Sequence, residues 1–171
     1  MKPALLLLLA APLLAAAQHG PHDPLAPADH EQHLLTVAAH GVQIYECRSA
    51  GWAFVAPDAV LIGHHGQPIG QHGAGPYWQA SDGSRITGSV KARVDAPRAG
   101  AIPWLLLGTR SDGTPGLFAG VTSIQRVDTE GGLAPTTACN AALVGTRARV
   151  PYRADYHLYQ SALFAQQDDP S

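Results

Sequence analysis

The chain has 171 residues with a formal net charge of −2, eleven Lys and Arg against thirteen Asp and Glu, and nine histidines. With no basic block anywhere, it lacks the cationic stripe needed to neutralise phosphates, which excludes a nucleic-acid partner. At 46% hydrophobic and 14% charged it has the composition of one ordinary globular domain of a size able to bury a core.

The first twenty residues read MKPALLLLLAAPLLAAAQHG. Lys2, the apolar run Leu5 to Leu14 and Ala15-Ala16-Ala17 follow the layout of a secretory signal peptide over residues 1–17, cleaved near Gln18. The run is broken by Pro12 and is too short to span a bilayer, and no membrane span is expected after processing. The expected location is therefore secreted or periplasmic. Residues 18–32 form a His- and Pro-rich leader with few large apolar side chains, read as a flexible spacer. A tract of this kind also suits Cu, Ni or Zn, but composition alone defines no site.

A single β domain is expected over residues 33–165, followed by a polar tail at 166–171. LLTVAA and VQIYECR predict two strands around a tight turn at His40-Gly41. On the second, Val42, Ile44 and Glu46 share one face and Gln43, Tyr45 and Cys47 the other. Cys47 and Cys139 are the two cysteines, without a C-x-x-C pair, and in an oxidising compartment they predict a disulfide rather than a redox centre. Downstream, turn residues recur at short intervals: Pro57, His65-Gly66, Gly73 to Pro76, Asp82-Gly83, Asp112-Gly113, Gly131-Gly132. Between them lie short segments rich in Val, Ile, Thr, Tyr and Trp, and no useful stripe of helical period. This pattern predicts an all-β, single-domain antiparallel sandwich or barrel with little helix. IPWLLLGT is almost unbroken in apolarity, as for a strand covered on both faces, and Trp104 within it is expected in the core.

Residues 64–78, HHGQPIGQHGAGPYW, are the chemically richest stretch. A two-residue turn at His65-Gly66 pairs Ile62 with Ile69 and leaves His64 and His72 on opposite faces. A four-residue loop from Gly63 to Gly66 puts both His64 and His65 in the loop, away from His72. Neither register converges His64, His65 and His72, and the usual zinc spacings H-E-x-x-H and H-x-H are missing, so no metal and no other cofactor is expected. There is no G-x-S-x-G, no selected carboxylate pair, and the glycines at 70, 73 and 75 precede a strand rather than a helix. Binding is better supported. His72, Tyr77, Trp78, Asp82 and Arg85 are the candidates for a loop-edge site taking a small-molecule or carbohydrate ligand, by aromatic stacking with polar orientation. The rival reading is a metal-dependent extracytoplasmic enzyme using His72 with other histidines, such as His157.

The series YEC, WAFVAPDAVL, GQPIGQHGAGPYWQASDGSRITG, IPWLLL, IQRVDTEGGLAP followed by Cys139, and VPYRADYHLY resembles the secreted proteins grouped as domain of unknown function 3455. The likeness runs from about Gln43 to Tyr159. It implies an exported, single-domain, mostly β protein and names no reaction. In that pattern His72 belongs to a G-x-H-x-x-G-P-x-W stretch, whereas the His64-His65 pair is a departure from it.

Overall fold

Alternating inward and outward side chains, interrupted by glycine and Asx turns, run through eight strands of a computed structural model that describes residues 23–163. The expected signal peptide (1–17), the first part of the leader (18–22) and the polar tail lie outside the described residues. The strands are β1 (Glu31–Arg48), β2 (Gly51–Ile62), β3 (Pro68–Gly73), β4 (Tyr77–Ala80), β5 (Arg85–Val94), β6 (Trp104–Ser111), β7 (Val121–Gly131) and β8 (Arg147–Ser161). Each is antiparallel to its sequence neighbour, and β8 returns to pair with β1 from Glu31↔Ser161 to Glu46↔Arg147. The protein is all-β, and of the two architectures expected it is the closed barrel, which leaves no free sheet edge.

The tight turn expected at His40-Gly41 does not form. β1 passes straight through, with His40 opposite Val60 and Arg153 and Gly41 opposite Ala59 and Tyr152. Glycine is required there by proximity: a Cβ would collide with the Asp58 carbonyl oxygen and with Ala59. Bulges at Ile44/Tyr45, Val90/Ala92 and Val127/Glu130 bend the long strands, the last with Asp128 at φ 48°.

Apolar side chains fill the barrel. Val37, Leu61, Trp78, Ile86, Ile124, Tyr156 and Leu158 form one buried cluster, each at most 1% exposed. A lipid-spanning barrel has the inverse arrangement, an apolar outside and a polar lumen. Among the described residues no helix is long and apolar enough to cross a membrane. Trp104 and Trp52 are only half-buried, so the expectation that Trp104 is a core side chain fails. Alternation explains it: Leu105 and Leu107 take the inward positions of β6, which leaves Trp104 on the outer side.

One end of the barrel is plugged. The β6–β7 connection inserts Phe118, fully buried, into the core cluster. Its approach is fixed by the β4–β5 turn: the Leu117 N–H donates to Asp82 Oδ2 (2.7 Å) and the Phe118 N–H to Ser84 Oγ (3.0 Å). The Ser84 hydroxyl in turn donates to Asp82 Oδ1 (2.6 Å). On the outer wall the segment before β1 is anchored. Leu25 is buried, and its carbonyl accepts from Gln125 Nε2 (2.6 Å), whose Oε1 accepts from the Tyr159 hydroxyl (2.7 Å). Glu31 accepts from Thr122 and Ser123 hydroxyls beside it. At the opposite end Cys47 and Cys139 form the expected disulfide, tying the end of β1 to the β7–β8 connection.

Candidate functional site

The unplugged end of the barrel contains the site, and it begins with a cross-strand pair. His72 on β3 stands directly opposite Trp78 on β4, so both side chains leave the sheet on the inner face. Their rings stack at 4.2 Å with 16° between planes, and the Tyr156 ring from β8 meets both edge-on at 5.3 and 5.4 Å. Small neighbours make the room: His72 is opposite Ala59 on β2, and a Cβ on Gly88 would press to 2.8 Å of the indole.

The single hydrogen bond of His72 decides its chemistry. Nδ1 lies 2.7 Å from the Tyr77 carbonyl oxygen, which only accepts, so Nδ1 carries the proton and Nε2 keeps its lone pair. Burial lowers the pKa of the ring to about 4; the Arg126 charge acts in the same direction, and the carbonyl bond opposes both. His72 is thus a neutral acceptor at pH 7, and Nε2 makes no hydrogen bond among the described residues.

Above this stack lies a cavity of about 400 Å³. Leu105, Leu107, Val55 and Pro57 form its walls, the Gly75-Pro76 lip of the β3–β4 turn overhangs it, and Phe54 and Val90 stand more than half exposed at the rim. Its polar lining comprises Gln43, His72, Trp78, Tyr156 and Arg126, with no carboxylate. Gln43 Nε2 and Trp78 Nε1 are sealed from water without a hydrogen-bond partner among the described residues, while the buried Tyr152 and Tyr156 hydroxyls lie beside each other and the Arg126 guanidinium without a well-aligned bond. Unpaired buried donors cost about 1–3 kcal/mol each, which makes their concentration around one cavity informative. Arg126 donates through Nε (3.1 Å) and Nη2 (2.7 Å) to the Pro103 carbonyl. Burial raises the pKa of the Tyr156 phenol and that of the Tyr152 phenol, so both remain neutral.

The five ligand candidates read from the sequence fall in three places. His72 and Trp78 meet in the lumen. Tyr77 and Arg85 are on the outer wall, where the guanidinium carbon lies 3.9 Å from the Tyr77 ring centroid. Asp82 is at the plugged end, its carboxyl held below the usual range first by the Ser84 hydroxyl and then by backbone N–H groups. His64 and His65 lie in the β2–β3 turn, exposed, with ring centroids 4.8 Å apart. In that hairpin Ile62 pairs with Pro68 rather than with Ile69, and the Gly63 N–H closes the loop on the Gln67 carbonyl, leaving both histidines off the ladder. His157 alternates with Tyr156 and Leu158 and so occupies the outer wall, 5.9 Å from His33 and across the sheet from His72. Among the described residues no group of three or more His, Cys, Asp or Glu is placed to hold a metal.

Gln43, Arg126 and Tyr156 are not among the residues singled out from the sequence. The signal for two of them was in the alternation. Gln43 shares its face with Tyr45 and Cys47, and Arg126 with Ile124, so once those faces turn inward a polar side chain enters the lumen.

Residues 27–160 match the family described as Protein of unknown function (DUF3455). No curated protein and no solved structure matches the chain.

Proposed function

We propose that this chain, which belongs to the DUF3455 family, is an exported binding protein that takes one small, mainly apolar molecule into the open end of its barrel. An eight-stranded closed barrel has an interior of the right width for one small ligand. The observation that carries the reading is the cavity itself: about 400 Å³, walled by aliphatic and aromatic side chains, with unpaired polar groups gathered at one location. The size lies in the range of small-molecule sites, and the lining is too apolar for a sugar, whose hydroxyls need a dense polar surround. Aromatic stacking, expected at a loop edge, operates instead inside the lumen, through His72 and Trp78. Export is supported by the signal-peptide layout of residues 1–17 and by the Cys47–Cys139 disulfide, which suits an oxidising compartment.

The test uses N-phenyl-1-naphthylamine, a neutral aromatic probe that fluoresces in apolar surroundings. Titration of the folded protein gives saturable binding of one probe per chain. Val90→Trp, placed at the exposed rim to fill the mouth, weakens it at least about tenfold, the loss of roughly 1.4 kcal/mol of contact. Absence of saturable binding, or equal binding by the Val90→Trp protein, leaves the barrel as a structural module.

A further inference from the structure

We infer that the cavity selects ligands that carry an oxyanion, such as a carboxylate or sulfonate, on a flat apolar skeleton, and that Arg126 is the selecting residue. This rests on the binding reading above and adds the chemical class of the ligand.

The placement of Arg126 is the first ground. On β7 it follows Ile124 by two positions, and it stands opposite Leu105 on β6 and Tyr156 on β8, so its side chain enters the lumen. Arg48, Arg98, Arg147 and Arg149 each reach a carboxylate within 3.4 Å on the exposed surface. Arg126 makes no such pair among the described residues, and no acidic side chain lines its cavity. A guanidinium has five N–H donors. Two of its nitrogens, Nε and Nη2, bond to the single Pro103 carbonyl, which orients the group beside the neutral Tyr156 hydroxyl and leaves it without an anionic partner among the described residues. Arg126 is partly buried, and a half-desolvated cation without a counter-charge gains from a ligand oxyanion.

The second ground is independent of charge. Beside the guanidinium the cavity lining holds two unpartnered donors, the Gln43 amide nitrogen and the Trp78 indole N–H, against one unpartnered acceptor, His72 Nε2. Gln43 and Trp78 are 2% and 1% exposed, so these donors lie just behind the cavity surface and meet a ligand through a small side-chain shift. A surplus of donors beside a cation matches a group that only accepts. The third ground is shape. The stacked His72 and Trp78 rings both line the cavity beside Leu105 and Leu107, an aromatic and aliphatic lining that suits a flat apolar skeleton.

Two probes with the same ring skeleton separate the parts. 8-Anilinonaphthalene-1-sulfonate is N-phenyl-1-naphthylamine with one sulfonate added. The wild-type protein is expected to bind the sulfonate about tenfold or more tightly than the neutral compound, the range of a charged hydrogen bond. Arg126→Gln abolishes the preference, and Arg126→Lys keeps part of it. Val90→Trp weakens both probes together. Equal or tighter binding of the neutral probe by wild type overturns the oxyanion inference and leaves the binding reading standing. A preference that survives Arg126→Gln, or sulfonate binding undiminished by Val90→Trp, places the anion elsewhere and overturns it as well. Failure of both probes to bind removes the binding reading and this inference with it. The wild-type comparison decides the matter even if Arg126→Gln does not fold.

Discussion

His72 joins three effects in one side chain: burial that forbids its charge, a stack that holds its plane, and a carbonyl that fixes its tautomer. The ring takes up a proton near pH 6.5 in the unfolded chain but only near pH 4 in the folded one. Between those values the unfolded state binds more protons, so stability is complete above pH 6.5 and is lost as pH falls towards 4. A displacement of this size corresponds to about 3 kcal/mol. Denaturant unfolding from pH 7 to 4.5 should show that decline in wild type, and His72→Phe should flatten it; an unchanged slope in the variant contradicts the assignment. Glu31 and Asp82, whose carboxyl pKa values are lowered, add their own loss only at the bottom of this window, and Asp155, raised by burial, opposes it there. Pleating made part of this legible beforehand, since it separates His72 from His64 whatever the turn. What a linear reading did not supply was the partner across the ladder. Tyr77 and Trp78 are adjacent in the chain and end on opposite sides of the sheet, and only the β3–β4 register decides which of them joins His72.

Among the elements, β1 shows how a turn signal misleads. His40-Gly41 carries the composition of a hairpin, yet the glycine is there because β2 passes too close for any side chain. Gly41→Val should therefore prevent closure, seen as loss of the cooperative thermal transition rather than a small shift in it; a normally cooperative variant refutes the packing account. The plug makes a contrasting prediction. Phe118→Ala removes a fully buried ring at the far end and should cost about 3–5 kcal/mol by denaturant unfolding. Its affinity for the neutral naphthylamine should be unchanged, because Phe118 does not line the cavity. Loss of binding at equal folded fraction means that the two ends are not separate. The hydrogen bond that Asp82 accepts from the Leu117 N–H of this connection spans 35 positions in sequence, which is why Asp82 read as a turn residue and a ligand candidate but not as a clamp.

For the whole molecule, the all-β class was readable from turn punctuation and alternation, whereas closure was not. A sandwich and a barrel share those local signals and differ in whether the last strand returns to the first, a contact between the two ends of the chain. The disulfide acts at the same scale, with Cys47 and Cys139 separated by 92 positions. Replacing both with serine should lower stability by up to about 4–5 kcal/mol in the chain-entropy model, measured as a shift in denaturant midpoint. No detectable shift means the barrel does not depend on the link. Closure, the Phe118 plug and the apolar walls together leave one end open to a ligand, and that is the central claim. Its most direct measurement is a titration of ¹⁵N-labelled protein with N-phenyl-1-naphthylamine, following the three tryptophan indole N–H signals, with those of Trp52 and Trp104 assigned by Trp52→Phe and Trp104→Phe. Trp78, the lumen residue with an unpartnered Nε1, should move progressively to saturation, while Trp52, bonded to the Thr137 carbonyl, and Trp104 on the outer wall stay in place. A Trp78 signal that remains fixed while the probe binds contradicts the account.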